Sequence, residues 1–243
     1  MNAVIRASAR IPEGDLRKMF ALHARAYAHA TYAKFKRDLR QKHWSILLTG
    51  AAGEIQGYSS LEIFPAVRDK KPCRVLYSGD TLVAREQRRD YLLAIAFVQC
   101  IHRASQLFPG RELWWLLTSK GFRTYRFLPV YFKEFFPRHD VPTPMGRARF
   151  LRALGRRKFG KRFNPTTGII VPGRTGDYLA GAEAEIPRAK LDDPHVRYFI
   201  QRNPGYRRGE ELMCLARLAA NNIRRDIYRR FLASPRVTWE GGA

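Results

Sequence analysis

The chain has 243 residues and carries 45 Lys and Arg against 21 Asp and Glu, for a formal net charge of +24. An apolar fraction of 45% supports a sizeable core and excludes a chain that is disordered throughout. The longest apolar run, at 91–101, is too short to span a bilayer, and the scattered cysteines argue against a disulfide framework. We therefore expect a cytoplasmic protein with one domain over 1–243 and a polyanionic partner.

The first part of the chain predicts helices followed by a hairpin. Apolar residues recur at three- and four-residue steps over 15–42, which indicates one helix or two helices that break near 29–31. Segments 44–49 and 56–64 are predicted strands joined by a turn that contains glycine. A charged loop is expected at 67–72.

A third strand is expected at 74–83, followed by a helix with an apolar face at 90–106 and a further strand, LWWLLT, at 113–118. Segment 114–136 is rich in aromatic residues and predicts a helix that kinks or breaks at Pro129. Two helices, antiparallel strands and then a strand–helix–strand unit indicate an α+β fold with a mixed α/β sheet.

The character of the sequence changes after Pro137. A basic helix is predicted at 146–159, loops at 164–190, a strand at 211–218 and a terminal helix at 218–232. The histidines and cysteines show no metal-ligand spacing, so no metal site is expected.

The segment LVAREQRRDYLL, at 82–93, joins the third predicted strand to the long apolar helix. A strand, a turn and a buried helix in this order often bind phosphate at the helix N-terminus. Arg85, Arg88 and Arg89 fill the turn, which has no glycine. Guanidinium groups bind phosphate in a bidentate fork, but cations oppose the helix dipole at this end. That cost favours a bound anion over the alternative, a solvated helix start.

Two motifs resemble those of the GNAT superfamily of amine N-acyltransferases. The phosphate turn of the family has the form Arg/Gln-x-x-Gly-x-Gly/Ala; here Val83 and Arg88 are in register, whereas Tyr91 and Leu93 stand at the glycine positions. The segment LTSKGFRTYRFL follows the strand LWWLLT, as a helix with an acid tyrosine does in the family, and Tyr125 takes that position.

The resemblance covers about residues 10–140 and implies a GNAT-like fold, in which helices flank a central twisted, mostly antiparallel sheet. The acyl-donor half would lie at 1–140, and a helical, loop-rich extension at 141–243 would complete the sheet and the acceptor site. In the family, the strands on either side of the phosphate turn splay apart and hold the pantetheine arm of a thioester. Donor-binding residues are therefore expected at the turn and the strand ends: Thr81, Leu82, Val83, Arg85, Arg88, Arg89 and Ser119.

The implied chemistry is attack of a neutral amine on a thioester, which needs a base because free alkyl amines are protonated at neutral pH. Asp80 is the first candidate, since a carboxylate on an apolar strand is costly without a partner or a role; its alternative is a salt bridge to the turn. Glu62 is the second candidate, with simple exposure as its alternative. Tyr125 is the implied acid for the leaving thiolate, with Tyr131 as a substitute and a core position as the alternative.

Aromatic residues of the segment that begins at Trp114 are candidates for a wall along a long acyl chain: Trp114, Phe122, Phe127 and Tyr131. Each buried methylene would contribute ~0.8 kcal/mol, so a fatty tail would dominate the choice of donor. The alternative is that these side chains, with the nearby phenylalanines, simply form core.

No tightly bound cofactor is expected, because the donor would be a substrate: an acyl-phosphopantetheine on an acyl carrier protein, or acyl-coenzyme A. Missing glycines, added arginines and the charge of +24 favour the acidic carrier protein. In plan, the chain resembles acyl-homoserine-lactone synthases and cluster-encoded fatty N-acyltransferases. The acceptor would be a primary amine of an amino acid, or of a Lys or ornithine side chain in a peptide.

Two alternatives lack catalysis. Basic helices at 146–159 and 218–232 would suit a peripheral protein on an anionic membrane surface. Charge alone would also suit a nucleic-acid-binding protein, but no zinc-finger, RNA-recognition or KH signature is present, so this reading is disfavoured.

Overall fold

The computed structural model of the protein describes residues 1–88, 90–173, 176–224 and 231–240. The strands are β1 Asn2–Ala7, β2 Tyr27–Ala28, β3 Trp44–Thr49, β4 Ile55–Arg68, β5 Lys71–Val83, β6 Glu112–Ser119, β7 Phe135–Phe136, β8 Phe163–Asn164, β9 Ile169–Ile170, β10 Tyr178–Leu179, β11 Glu211–Arg217 and β12 Val237–Glu240. The α-helices are α1 Glu13–Ala26, α2 Tyr32–Arg40, α3 Leu92–Leu107, α4 Phe122–Tyr125, α5 Phe127–Tyr131, α6 Met145–Phe159 and α7 Pro194–Arg202.

A ten-stranded sheet forms the centre of the molecule. Its order is β12-β1-β3-β4-β5-β6-β11-β9-β8, with β7 paired to β11, while β2 and β10 form a small separate ladder. The β1–β12 and β5–β6 pairs are parallel and the other pairs are antiparallel. The fold is thus α+β with a central, mostly antiparallel sheet flanked by helices, as the sequence predicted.

Helices cover both faces of the sheet. Helices α1, α2 and α6 pack on one face, where Tyr58, Val75 and Trp114 are buried. Helices α3, α4, α5 and α7 pack on the opposite face, where Leu76 and Trp115 are buried. Because side chains of a strand alternate between faces, the neighbours Trp114 and Trp115 belong to different cores. The sheet therefore separates two apolar layers, and a gap between two of its strands would connect these layers.

The predicted elements of the first half are confirmed, with one change. The helical segment breaks into α1 and α2 around His29, whose φ is 61°. Strands β4 and β5 continue to Arg68 and from Lys71, so the expected loop at 67–72 is only the turn Asp69–Lys70. The prediction of a loop was wrong because charged residues are also common where the end of a long hairpin extends into solvent. Val67, at this end, is 66% exposed.

Pro129 explains the break in the aromatic segment. Helices α4 and α5 are separated at Arg126. A proline has no N–H for the carbonyl four residues earlier, and its ring crowds that carbonyl. The carbonyl concerned belongs to Tyr125, at the end of α4, so the predicted break is confirmed one turn before the proline.

The C-terminal part departs most from expectation. Strand β11 is confirmed, but residues 218–224 form turns and a single bridge at Ile223 rather than the start of a terminal helix. Residues 225–230 of that predicted helix lie outside the described part of the chain. Strands β1 and β12 and helix α7 were missed. In the described ranges, no helix is both long enough and apolar enough to cross a membrane.

Candidate active site

The sheet splits between β5 and β6. Their parallel pairing runs from Cys73–Glu112 to Ser78–Leu117 and ends there, although β5 continues to Val83 as a partner of β4. On the β4 side, Ser78 pairs with Leu61 and Thr81 with Ser59, so one extra residue of β5 forms a bulge at 79–80. A bulge bends its strand and often re-aims side chains next to active sites. Here it turns the end of β5 away from β6.

A cleft of about 510 Å³ lies at this split. Among the residues predicted to bind donor or acyl chain, those that line it are Thr81, Leu82, Val83, Arg88, Phe122, Phe127 and Tyr131. Its volume is in the range of small-molecule and cofactor sites. Beyond Ser78 and Leu117, the facing backbone edges of β5 and β6 have no strand partner within the described residues. Amide groups of an extended ligand such as a pantetheine arm can pair with such edges.

The rim of the cleft is strongly basic. Its charged lining consists of Arg88, Arg123, Arg126, Lys120 and Lys190 against Asp90 and Glu183. Arg85 lies on an adjoining groove of about 590 Å³, which shares Arg88 and Glu183 with the cleft. Arg89 lies outside the described residues. The excess of guanidinium and ammonium groups favours an anionic ligand at this mouth.

The arginine turn already holds an internal anion. Arg88 Nη2 lies 2.5 Å from a carboxylate oxygen of Glu183, and Arg85 Nη2 lies 3.7 Å from the other. Arg123 donates to the backbone carbonyl of Glu183 at 3.0 Å, while Arg88 Nε donates to Val83 at 3.1 Å. These contacts show that the turn binds a carboxylate of the chain itself. They also mean that the salt bridge considered for Asp80 is made by Glu183 instead.

Replacing Glu183 with glutamine is expected to tighten binding of a phosphate-bearing donor several-fold, because a ligand anion would no longer compete with this carboxylate for the arginines. Isothermal titration with coenzyme A measures the effect. Glu185→Gln is the matched control, since Glu185 is exposed and two residues away. Unchanged or weaker affinity in Glu183→Gln would mean that the arginines serve only to hold the 181–183 turn.

Asp80 lies on the sheet face that carries α1 and α2, half-buried at the bulge. Burial and, to a smaller extent, the Asp80 charge raise the pKa of Tyr27 and Tyr58. Asp80 makes no ion pair within the described ranges. Asp80 is therefore a carboxylate at the bulge that lies next to the cleft residue Thr81 but is not itself part of the cleft lining.

A buried ionic network, which sequence reasoning missed, borders the cleft next to Asp80. Lys120 Nζ lies 3.2 Å from Asp177 and 3.8 Å from Glu211. Burial disfavours the charge of Lys120, but Glu211 and Asp177 outweigh burial and hold the pKa of the ammonium above its usual range. The cleft wall therefore contains a fixed positive charge. No local signal pairs Lys120 with a carboxylate that lies 57 residues further along the chain.

The same network orients a buried histidine. His23 Nε2 lies 3.4 Å from Asp177, and His23 Nδ1 lies 2.5 Å from the hydroxyl of Tyr58. The imidazole also stacks on Tyr27, a residue of the cleft wall, with ring centroids 4.4 Å apart. These contacts fix the side chains of His23, Tyr27 and Tyr58 relative to one another.

The structure places Tyr125 and Ser119 away from the cleft. The Tyr125 side chain is fully buried, and its hydroxyl donates to the carbonyl of Pro137 at 2.9 Å. That is the core position weighed against the acid role. The hydroxyl of Ser119 is buried beside the Cys214 thiol. Tyr131 does line the cleft, and burial raises the pKa of its hydroxyl to about 12, so it stays protonated at neutral pH.

Trp114 and Glu62 also lie elsewhere. Trp114 is buried under α6, where its ring packs against Phe150. The neighbouring Trp115 lies on the opposite face of the sheet, where its indole donates to Ser78 at the end of the β5–β6 pairing. Glu62 is held by Lys158 at 2.8 Å and by Lys42 at 3.2 Å. Burial opposes its charge, but these lysines lower its pKa overall, so it is neither exposed nor suited to act as a base.

No protein-family model matches the sequence, and no curated protein matches it. The fold is similar to a GNAT family N-acetyltransferase (YhbS) from Escherichia coli in complex with CoA, at 18% identity over 49% of this chain and 64% of that chain, with a TM-score of 0.37. It is also similar to NAA60 from Arabidopsis thaliana in complex with a bisubstrate analogue, at 14% identity over 60% and 92% of the two chains, with a TM-score of 0.38. A third similar structure is an aminoglycoside acetyltransferase from an uncultured soil metagenomic sample, at 15% identity over 59% and 100%, with a TM-score of 0.38.

The chain thus spans less than two thirds of the length of the first of these proteins. At these identities the comparisons show a likeness of fold alone.

Proposed function

We propose that the protein is a GNAT-type N-acyltransferase that moves an acyl group from a phosphopantetheine thioester to a primary amine. The observation that carries this proposal is the split between β5 and β6, which opens a cleft with two free strand edges and a guanidinium rim. An extended arm that ends in a phosphate on one side and a thioester on the other matches both features.

The donor would enter with its phosphate at the arginine turn. Arg88 and Arg123, which now contact Glu183, would bind the phosphate instead. The arm would run along 79–83 towards the bulge. Backbone N–H groups near Thr81 would face the thioester oxygen, where donors stabilise the developing negative charge. The fixed charge of Lys120 on the cleft wall would add to this stabilisation.

In the reaction, the amine nitrogen attacks the thioester carbonyl carbon and loses a proton to Asp80. The carbon–sulfur bond then breaks, and the thiolate takes a proton from Tyr131, the one of the two candidate tyrosines that lines the cleft. Proton return from Asp80 through solvent restores the phenol, so the products are an amide and a thiol. Tyr125 has no part in this scheme because its hydroxyl is committed to Pro137.

An acyl carrier protein is the donor that this surface favours over free coenzyme A. Tyr91 and Leu93 stand where a tight pyrophosphate cradle would need glycines, and arginines precede them in the turn. A carrier presents only one phosphodiester on an acidic body. The acceptor would be the amine of an amino acid, or of a Lys or ornithine side chain in a peptide.

Asp80→Asn is expected to lower kcat about 10²- to 10⁴-fold with folding intact, because an amide cannot accept the proton of the amine. The assay supplies acyl-coenzyme A and acyl carrier protein donors with lysine or ornithine and detects the amide by mass spectrometry. Glu62→Gln is the control, since Glu62 is tied to two lysines away from the cleft, and it should keep its turnover. Equal rates in wild type and Asp80→Asn would remove Asp80 from the mechanism, and no turnover with any donor would contradict the proposed function.

A further inference from the structure

A small void lies at the inner end of the cleft, between the diverging strands. It has about 30 Å³ of free volume and shares Thr81, Leu93, Thr124 and Phe127 with the cleft wall. If a thioester carbonyl sits at the bulge, the acyl group that it carries points into this void. The lining of the void therefore bears on which acyl groups the protein accepts.

Four of the polar groups around the void hydrogen-bond one another in two pairs. Ser59 Oγ and Thr81 Oγ1 are 2.7 Å apart, and Trp115 Nε1 donates to Ser78 Oγ at 2.9 Å. A buried hydroxyl that already has a hydrogen-bond partner gains little free energy from a polar ligand atom, and breaking its existing hydrogen bond costs free energy. The void thus offers a surface suited to an alkyl group.

Aromatic side chains close the far end. Behind them, a second void of about 10 Å³ lies under α3 and α5, and both voids are bounded by Phe97, Trp115 and Phe127. The rings of Phe97 and Trp115 are 4.7 Å apart, in direct contact. One water molecule needs about 10–15 Å³ of free volume, so the first void holds groups the size of about two waters and the second holds about one at most.

We infer that Phe97, Trp115 and Phe127 form a wall that limits the transferred acyl group to a short chain of about two to four carbons. This inference rests on the proposed function and replaces the expectation of a fatty chain. Phe97 is the member to change, because it is only half-buried on α3 and bounds both voids. Its removal would join the voids into one apolar channel.

The test compares acetyl, butyryl, octanoyl and dodecanoyl donors in wild type and in Phe97→Ala. Wild type is expected to have its highest kcat/KM with acetyl or butyryl donors and to lose at least tenfold with octanoyl. Phe97→Ala should shift the optimum to longer chains, by about fourfold in kcat/KM for each methylene that the channel takes up. Leu107→Ala, on the exposed end of the same helix, should leave the chain-length profile unchanged.

A binding measurement separates this inference from the proposed activity. Unreactive S-alkyl thioethers of coenzyme A report affinity against chain length without turnover, and Phe127→Leu opens the wall from the other side if Phe97→Ala does not fold. Tightest wild-type binding of the dodecyl thioether, or the same profile in wild type and both variants, would overturn the wall. Absence of turnover with every donor would instead contradict the proposed function.

Discussion

Replacing Asp177 with alanine is expected to lower the free energy of unfolding by about 3–5 kcal/mol, because it leaves the buried ammonium of Lys120 without its nearest counter-charge. The two side chains are only 13% and 14% exposed, so water cannot make up the loss. For a chain of this size the expected fall in Tm is about 6–20 °C, measured by differential scanning calorimetry. Asp69→Ala, which removes an exposed partner of Arg68, should cost no more than about 1 kcal/mol.

The acid dependence of stability gives an independent check on the same network. Burial disfavours the Asp177 carboxylate, but hydrogen bonding by His23 and the charges of Lys120 and Lys34 lower its pKa well below the ordinary range. The carboxylate therefore stabilises the folded state above the pKa of the unfolded chain, and this stability is lost as the pH falls below about 4. Asp177→Asn should show a flatter decline between about pH 5 and 3 than wild type; parallel curves would contradict the network.

Arg88→Gln is expected to weaken binding of phosphate-bearing donors about 10- to 100-fold, because a hydrogen bond to a charged group contributes about 1.5–3 kcal/mol. Arg88 is the residue that joins the turn, the cleft and the adjoining groove. Titration with acyl-carrier and acyl-coenzyme A donors at two salt concentrations measures the loss. It should shrink at high salt, where exposed charges are screened.

The discriminating comparison for Arg88→Gln uses an acyl-pantetheine that has no phosphate. Its affinity should change little, since it offers no anion to the turn. Arg149→Gln, an exposed change on α6, is the matched control for net charge and should leave all donors unaffected. Equal losses with and without phosphate would mean that Arg88 supports the shape of the turn rather than the ligand.

Sequence patterns predicted the parts of this fold that depend on neighbours along the chain. Strand β3 was predicted with its observed bounds, and the helix break near His29 follows from local periodicity. The faces of β6 were not predictable, because a strand buried on both sides reads as a continuous apolar run without alternation. The sequence therefore offered no means of telling that Trp114 and Trp115 lie on opposite faces of the sheet.

The site combines residues that the sequence could identify with others that it could not. Asp80, Thr81 and Arg88 could be named as candidates because the strand and the turn follow each other directly along the chain. Glu183 reaches Arg88 from 95 residues further along the chain, and no local pattern signals that contact. Tyr125 was assigned by the register of the family motif, whereas the structure buries its hydroxyl against Pro137 and places Tyr131 of α5 on the cleft wall.

Amide hydrogen exchange with and without an unreactive S-alkyl thioether of coenzyme A tests most directly whether the parted strands hold a pantetheine arm. Saturable binding should slow exchange at 79–83 and 118–120, whose edges face each other across the split, and leave the distal hairpin around 67–72 unchanged. Binding that leaves both strand ends exchanging at their original rates, or protects only surface arginines, would contradict the account.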